Sequence, residues 1–238
     1  MSDLNSLVAG TRATLERVAT GFSPAVFASS LAAEDMVLTD LILKAGLPIG
    51  IFSLDTGRLH PETLAVIDAV KAHYGYDIAL YRPNQQAVDE YVATNGQNAF
   101  YDSIDMRRSC CGIRKVEPLG RALAGKRAWV TGQRRAQSTT RAELAVEEDD
   151  AAHGMTKFNP LADWSEQDVW DYIRANGVPY NALHDQGFPS IGCAPCTRAV
   201  QPGEDVRAGR WWWENPDQKE CGLHMVDGKL IRIKSVAA

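Results

Sequence analysis

The chain has 238 residues, 45% of them hydrophobic, which is enough for one sizeable globular domain with or without an appended tail. Its formal net charge of −5 argues against general nucleic-acid binding, which normally needs a basic surplus. No apolar run approaches the length of a membrane span, and the polar N-terminal stretch lacks the pattern of a signal peptide, so we expect a cytoplasmic protein.

The first half of the chain alternates short apolar runs with stretches of helical periodicity. The apolar runs predict buried strands at residues 25–29, 48–54, 76–81 and 127–131. The periodic stretches predict helices at residues 34–45, 61–75 and 166–176. Ser165 and Asp168 predict the N-terminal cap of the last helix. This alternation predicts an α/β fold, in which a parallel sheet carries helices on both faces and binds ligands at the carboxyl ends of its strands.

After Pro179 the helix and strand patterns give way to loops rich in glycine and proline. These loops do not indicate a second folded domain. We therefore predict a nucleotide-binding α/β domain over residues 1–180 and a C-terminal extension over residues 181–238.

The cysteine pattern is the strongest chemical signal in the sequence. The five cysteines are Cys110, Cys111, Cys193, Cys196 and Cys221. An odd number in a cytosolic chain does not describe a disulfide framework. The two close pairs predict four metal ligands, which leaves one thiol for other chemistry.

Three kinds of site could use the two pairs. A thioredoxin-like dithiol is one, but there the pair opens a helix after an early strand, whereas residues 193–196 lie far downstream in a loop. Zinc is the second, but it needs four thiolates around one ion, and adjacent side chains on a helix diverge by about 100°. A 4Fe-4S cluster relaxes that constraint because each thiolate binds a different iron. The vicinal pair therefore favours the cluster, and a helix starting at Ser109 would help to keep both thiols ionised.

Cys221 stands alone in a polar setting, with Gly222 beside it and His224 three residues on. A lone cysteine is usually a packed or incidental residue. This setting is a poor place to bury a structural cysteine and a good place for a nucleophilic thiolate. His224 either tunes that thiolate or packs, and the sequence leaves both open.

Basic residues are bunched although the chain is acidic, and this pattern indicates a small, highly anionic ligand. The clusters are Arg107, Arg108, Arg114 and Lys115; Lys126, Arg127, Arg134, Arg135 and Arg141; and Arg207 and Arg210. Small residues in the turn 29–35 would let backbone N–H groups approach a phosphate or sulfate.

Taken together, these motifs resemble the assimilatory sulfonucleotide reductases, which act on adenosine 5′-phosphosulfate (APS) or phosphoadenosine phosphosulfate (PAPS). The resemblance covers nearly the whole chain. It is carried by residues 29–35, 53–57, 131–141, 159–165, 168–170, 179–180, 190–193, 207–212 and 220–224, together with the two cysteine pairs.

The resemblance implies an adenine-nucleotide alpha hydrolase-like (Rossmann-like) fold and a 4Fe-4S cluster on the two cysteine pairs. It implies reduction of APS to sulfite and AMP through an S-sulfonated Cys221, which thioredoxin (or glutaredoxin) then resolves. The family branch with both pairs generally takes APS. The implied substrate-binding residues are Ser29, Ser30, Leu54, Lys115, Arg134, Arg135, Arg141, Arg207 and Arg210.

Three rival functions stay open at this point. A PAPS reductase is disfavoured by the two cysteine pairs. An ATP-using pyrophosphatase on the same fold is disfavoured because residues 30–35 lack the glycine pair of its Ser-Gly-Gly loop. A zinc-binding nucleic-acid module is disfavoured by the acidic balance. The sequence does not determine the oligomeric state, and a homo-oligomer is compatible with it.

Overall fold

The computed structural model describes residues 4–137 and 141–215. The helices are α1 (Leu4–Gly21), α2 (Ala33–Lys44), α3 (Pro61–Tyr74), α4 (Gln85–Asn95), α5 (Ile104–Cys111), α6 (Glu117–Leu123) and α7 (Glu166–Asn176). The strands are β1 (Ala25–Ala28), β2 (Ile49–Leu54), β3 (Ala79–Tyr81), β4 (Ala128–Val130), β5 (Glu147–Asp150) and β6 (Met155–Phe158). None of the helices in these ranges is long and apolar enough to cross a membrane.

The six strands form one sheet in the order β3-β2-β1-β4-β6-β5. All neighbouring strands run parallel except β5, which is antiparallel to β6 at the edge. The chain builds outwards from β1 to β3 and then returns to the other side of β1 with β4. This reversal between β1 and β4 opens a crevice at the carboxyl ends of the strands, where ligands of such sheets bind. The predicted α/β fold with a mainly parallel sheet is confirmed.

Helices cover both faces of the sheet. Successive side chains of a strand point to opposite faces, so each central strand contributes to a core on either side. On β1, Phe27 joins the larger core, in which α2 and α7 bury their apolar sides. Val26 joins a second, smaller core with Leu119 and Leu123 of α6. The central strands are therefore buried on both sides, which explains why they appear in the sequence as continuous apolar runs.

A buried carboxylate joins three of the helices. Asp40 of α2 is fully buried and accepts hydrogen bonds of 2.6 Å from the hydroxyls of Tyr74 in α3 and Tyr172 in α7. Lys44 adds an ion pair at 2.9 Å. Burial, followed by the bond to Asp40, raises the pKa of both tyrosines, so their hydroxyls stay protonated and donate. The network holds α2 rigidly against its neighbours.

The predicted cap of α7 is present. The Ser165 hydroxyl accepts from the Asp168 amide at 3.1 Å, and the Asp168 carboxylate accepts from the Ser165 amide at 2.8 Å. The reciprocal pair satisfies two helix-end amides, and Gly177, with φ +61°, ends the helix in the left-handed region.

Residues 181–215 contain short helical turns, Ala182–Gln186 and Ala194–Cys196, and one isolated bridge between Thr197 and Arg210. They lie over the carboxyl edge of the sheet. His184 accepts a hydrogen bond from the first amide of α2, and Ala194 donates to the carbonyl of Arg58 after β2. The division into a domain and an extension at residue 180 stays a prediction.

Candidate active site

A cavity of about 380 Å³ lies at the carboxyl ends of β1, β2 and β4. Its walls come from the turns that follow these strands and from residues 184–210. We call it the substrate cavity. Among the predicted substrate-binding residues, those that line it are Ser29, Ser30, Leu54, Lys115, Arg134, Arg141, Arg207 and Arg210.

Arg135 is not part of this lining. Its guanidinium forms an ion pair with Asp163 and donates to the carbonyl of Leu144 at 2.7 Å. The preceding residue, Arg134, does line the cavity. The geometry therefore gives no support to the prediction that Arg135 contacts the substrate.

A buried carboxylate holds the turn that follows β1. Asp35 in the first turn of α2 accepts from the amide and hydroxyl of Ser30 at 2.5 and 2.6 Å. It also accepts from the amide of Gly132 after β4. Burial raises the pKa of Asp35 to about 7, although the Ser30 hydrogen bonds lower it. The turns after β1 and β4 are thus fastened to each other beneath the cavity.

Arg134 contributes little net positive charge to the substrate cavity. Its guanidinium lies 2.7 and 3.0 Å from one oxygen of Glu34, and its NH1 donates to the carbonyl of Trp164 at 3.4 Å. Gln137 donates to the same oxygen of Glu34 at 2.9 Å. Because the opposite charge is already adjacent, Arg134 stabilises the wall more than it attracts an anion.

Arg210 is held at the other side of the cavity. Its guanidinium lies over the ring of Trp211 at 4.8 Å and donates to the carbonyl of Ile191 at 3.2 Å. A Cβ at Gly192 would lie 2.6 Å from the Arg210 NH2 atom, so a side chain at residue 192 would push the guanidinium out of this position. Lys115 and Arg207 line the same cavity.

A second, smaller cavity contains both cysteine pairs. Cys110 and Cys111 come from the end of α5, and Cys193 and Cys196 from the turn 193–196. All four are free thiols. We call it the four-thiol cavity. Lys115 and Cys193 line both this cavity and the substrate cavity, so the two share a wall.

The pKa values of the thiols reflect their burial and their neighbours. Burial raises the pKa of Cys110, with Arg114 opposing, and burial followed by the Cys193 thiolate raises that of Cys196 to about 12. Burial would also raise the pKa of Cys193, but Lys115 and a 3.2 Å contact with the Thr56 hydroxyl lower it overall. Metal binding displaces thiol protons, so these buried thiols suit a cationic centre.

The donor set fits a cluster better than a single ion. Within residues 4–137 and 141–215, no three His, Cys, Asp or Glu side chains stand close enough to hold one metal ion. Nevertheless, all four paired cysteines open onto one cavity. A cluster whose irons each take one thiolate matches four thiols that surround a space without converging on a point.

The helix that carries Cys110 differs from its prediction. It begins at Ile104, where Ser103 caps it, and the cysteine pair lies at its end, followed by a π-helical turn, Gly112–Val116. The expected helix N-terminus at Ser109 is therefore wrong, and no helix dipole ionises these thiols. Nearby Arg107 is buried in a bidentate pair with Glu214, at 2.6 and 2.8 Å, and lies 4.5 Å from the Trp211 ring.

Several residues of the site escaped sequence reasoning. Thr56 lies within the motif at residues 53–57. Its contact with Cys193 could not be predicted because the two residues are 137 positions apart in the chain. Gln133 lies within the predicted anion-binding stretch, and only its burial in the cavity wall draws attention to it. The proposed nucleophile, Cys221, and His224 lie outside the described residues.

The comparisons with known proteins define the class of protein. Residues 24–199 match the model of the phosphoadenosine phosphosulfate reductase domain, and the chain belongs to this family. It is 67% identical to an adenosine 5′-phosphosulfate reductase of Burkholderia cepacia over 199 residues, 84% of this chain and 80% of that one. It is 61% identical to an adenosine 5′-phosphosulfate reductase of Allochromatium vinosum over 210 residues, 88% and 82% of the two chains. The family predicted from the sequence is confirmed.

Among solved structures, the fold is similar to that of the phosphoadenylyl-sulfate (PAPS) reductase of Candida auris, with a TM-score of 0.69 and 27% identity over 84% of this chain and 97% of that one. The FMN adenylyltransferase of Candida glabrata shares the fold alone, at 16% identity and a TM-score of 0.57 over 90% and 75% of the chains.

Proposed function

We propose that this chain is an adenosine 5′-phosphosulfate reductase, which reduces APS to sulfite and AMP in sulfate assimilation. The curated relatives with that name support the activity, since they align over 80% or more of their own length. The structural observation that carries the proposal is the shared wall. A cavity with a basic side, suited to a phosphosulfate, adjoins four thiols through Lys115 and Cys193.

The proposed nucleophile is the thiolate of Cys221. Glu214 is fastened to Arg107 beside the four-thiol cavity, and Cys221 follows seven residues later in the sequence. Seven residues span at most about 25 Å, so the segment that carries Cys221 starts at a point close to the four-thiol cavity. Thiolate attack is favoured over hydroxyl attack because thiols ionise near neutral pH.

The first step transfers a sulfo group. The thiolate attacks the sulfur of APS, a new S–S bond forms, and the S–O bond to the phosphate breaks, so AMP leaves with the electron pair. The attacking thiolate and APS are both anions, and the leaving AMP is a third. The negative charges repel one another, and this repulsion raises the barrier of the step. Lys115, Arg141, Arg207 and Arg210 would offset that repulsion, because fixed cations stabilise charge that develops in the transition state.

The second step uses an external dithiol, for which we propose thioredoxin (or glutaredoxin). One of its thiolates attacks the Cys221 sulfur and expels sulfite, which leaves with the electron pair of the S–S bond. The second thiol then cleaves the mixed disulfide and restores the Cys221 thiolate. Two electrons pass from the dithiol to the sulfur of APS. The four free thiols among the described residues suit a reducing compartment, so the proposed location is the cytoplasm.

We propose that Cys110, Cys111, Cys193 and Cys196 hold a 4Fe-4S cluster. When bound, such a cluster supplies a fixed charged centre and fastens α5 to the turn 193–196. The reduction itself needs only thiols. Lys115, which lines both cavities, is then the residue through which the thiolate ligands and the phosphosulfate influence each other electrostatically.

The decisive experiment measures sulfite release with APS and PAPS in parallel, with thioredoxin as the reductant. We expect kcat/KM to favour APS by about a hundredfold or more, because the named relatives are APS reductases and a 3′-phosphate that found no cation in the pocket would cost binding free energy. Preference for PAPS would contradict the substrate assignment. No sulfite from either nucleotide would contradict the reaction.

A further inference from the structure

A buried glutamine in the wall of the substrate cavity has a fixed orientation. Gln133 lies just after β4, is 8% exposed and lines the cavity. Its Oε1 accepts a hydrogen bond of 2.9 Å from the ammonium of Lys157 in β6. The backbone amide of Gln133 donates to the hydroxyl of Thr131 at 3.4 Å.

The partner decides which end of the carboxamide faces the cavity. An ammonium group has three donors and no acceptor, so only the oxygen of Gln133 can face Lys157. A flipped carboxamide would place NH2 hydrogens against NH3⁺ hydrogens. The Nε2 group therefore points away from Lys157, and no side chain or carbonyl in the described part of the chain accepts from it.

Lys157 is itself immobilised. It is 7% exposed, its ammonium lies 2.6 Å from an oxygen of Glu148 in β5, and it sits 5.6 Å from the centre of the Trp129 ring. Glu148 and Trp129 thus hold the ammonium group that holds Gln133. A side chain in such a setting keeps one rotamer and presents its donor in one direction.

The donor lies at the apolar end of the cavity. Phe52, Leu119 and Trp129 line the cavity and pack together in the smaller core of the protein. Lys115, which also lines the four-thiol cavity, and Arg210, whose guanidinium lies beside Gly192, form the cationic end of the substrate cavity. Apolar walls suit a flat aromatic base, and the cationic end suits a phosphosulfate, so a nucleotide would lie along this axis.

We infer that Gln133 reads the adenine base, donating a hydrogen bond from Nε2 to an acceptor nitrogen of the ring, and that Lys157 is the positioning residue that fixes this donor. The inference deepens the proposed function and rests on it for the identity of the nucleotide. It makes the purine, as well as the phosphosulfate, a determinant of specificity.

The test uses AMP, which carries the whole adenosine part of APS and does not react. Calorimetry would compare the binding of AMP with that of 1-deaza-, 3-deaza- and 7-deaza-AMP, each of which lacks one ring acceptor. We expect one analogue to bind the wild-type enzyme about tenfold more weakly than AMP, the effect of one lost hydrogen bond to a buried donor. The other two serve as matched controls.

Gln133→Leu should bind AMP about tenfold more weakly than the wild type and lose the discrimination against that one analogue. Gln133→Glu keeps the shape and the bond to Lys157 but offers only an acceptor, so it should bind AMP at least as weakly as Gln133→Leu. Lys157→Met, combined with Glu148→Gln to balance charge, frees the carboxamide to rotate. That variant should reduce the discrimination to about twofold and raise KM for APS while leaving kcat unchanged.

Failure of the inference and failure of the proposed function are distinguishable. Wild-type enzyme that releases sulfite from APS but binds all three analogues as tightly as AMP would overturn the inference alone. So would a Gln133→Leu variant that still discriminates, or one that loses affinity for APS and not for AMP, since the amide would then serve the phosphosulfate. Wild-type enzyme that discriminates among the analogues but releases no sulfite would overturn only the reaction.

Discussion

Arg134 and Lys115 both line the substrate cavity, but their partners give them different roles. Arg134 is paired with Glu34 and holds two parts of the wall together. Lys115 acts on Cys193 and belongs to both cavities. A cation whose charge is already compensated attracts an anionic ligand weakly, so the pairing with Glu34 argues against Arg134 as a ligand of the phosphosulfate.

The role of Cys221 is tested by Cys221→Ser, which exchanges a thiol for a hydroxyl of nearly the same volume. We expect sulfite production to fall by at least about a thousandfold, because a serine hydroxyl does not ionise near neutral pH. Affinity for APS and iron content should not change. In wild-type enzyme given APS without reductant, mass spectrometry should find one added SO₃ on the peptide that contains Cys221. The label on any other cysteine would contradict this mechanism.

Gly132 is a position where Asp35 leaves no room for a side chain. A Cβ there would lie 2.0 Å from Oδ1 of Asp35. We expect Gly132→Ala to lower the free energy of unfolding by about 1–3 kcal/mol, as overpacking does, and to weaken AMP binding because the turns after β1 and β4 must separate.

The matched control is Gly120→Ala, since Gly120 lies within α6 and a Cβ there meets nothing within 4 Å. That change should stabilise the chain by about 0.5–1 kcal/mol, as Gly-to-Ala changes inside helices do. Urea unfolding measures both. Equal stabilities for the two variants would show that Asp35 does not fill the space beside Gly132.

At the scale of elements, the N-terminus of α2 depends on a histidine from the loops after residue 180. Nε2 of His184 accepts from the Ala33 amide at 3.1 Å, which requires the unprotonated ring nitrogen. Burial lowers the pKa of His184 from its usual value of 6.5, although Glu34 opposes the shift. As the pH falls through 6.5, the unfolded chain takes up this proton first, so the contribution of His184 to stability is lost.

The variant His184→Gln keeps an acceptor without a titratable ring. We expect the free energy of unfolding of the wild type, relative to His184→Gln, to decrease as the pH is lowered from about 8 to about 5. Thermal or urea unfolding at several pH values gives this difference. A difference that stays constant over this range would mean that His184 is not held neutral in the folded protein.

Prediction from sequence succeeded for elements whose pattern is local. The strands β1 to β4 and the helices α2, α3 and α7 were found because apolar runs and caps are visible in a short window. The β5–β6 pair was missed because β5 reads Glu-Glu-Asp-Asp, a composition that strands normally avoid. Its side chains are tolerated because β5 is an edge strand and Lys157 faces it.

The grouping of the two cysteine pairs around one cavity could be predicted because their spacing carries that signal, whereas ion pairs could not. The opposite charge beside Arg134 comes from 100 positions earlier in the chain, and the partner of Arg107 from 107 positions later. No pattern in the neighbouring sequence identifies such partners. Hence Arg135 was predicted to bind the anion although its charge is used by Asp163.

At the scale of the molecule, the four-thiol cavity makes a prediction about iron. Anaerobically purified protein should contain about four irons per chain and absorb broadly near 400 nm. Cys193→Ser should lose most of this iron, because Cys193 is one of the four proposed ligands, while Cys221→Ser should keep it. Stoichiometric zinc without iron would contradict the cluster assignment.

The walls of the substrate cavity come from residues as far apart in the chain as Ala28 and Arg210. On the ribosome, the first half of the chain emerges with its strands and helices but without the side that Arg207 and Arg210 complete. A nascent chain that has not yet reached Arg210 therefore presents only part of the pocket, so we expect it to bind the nucleotide more weakly than the folded protein. Products truncated before Arg207 would then compete poorly with the folded protein for the nucleotide.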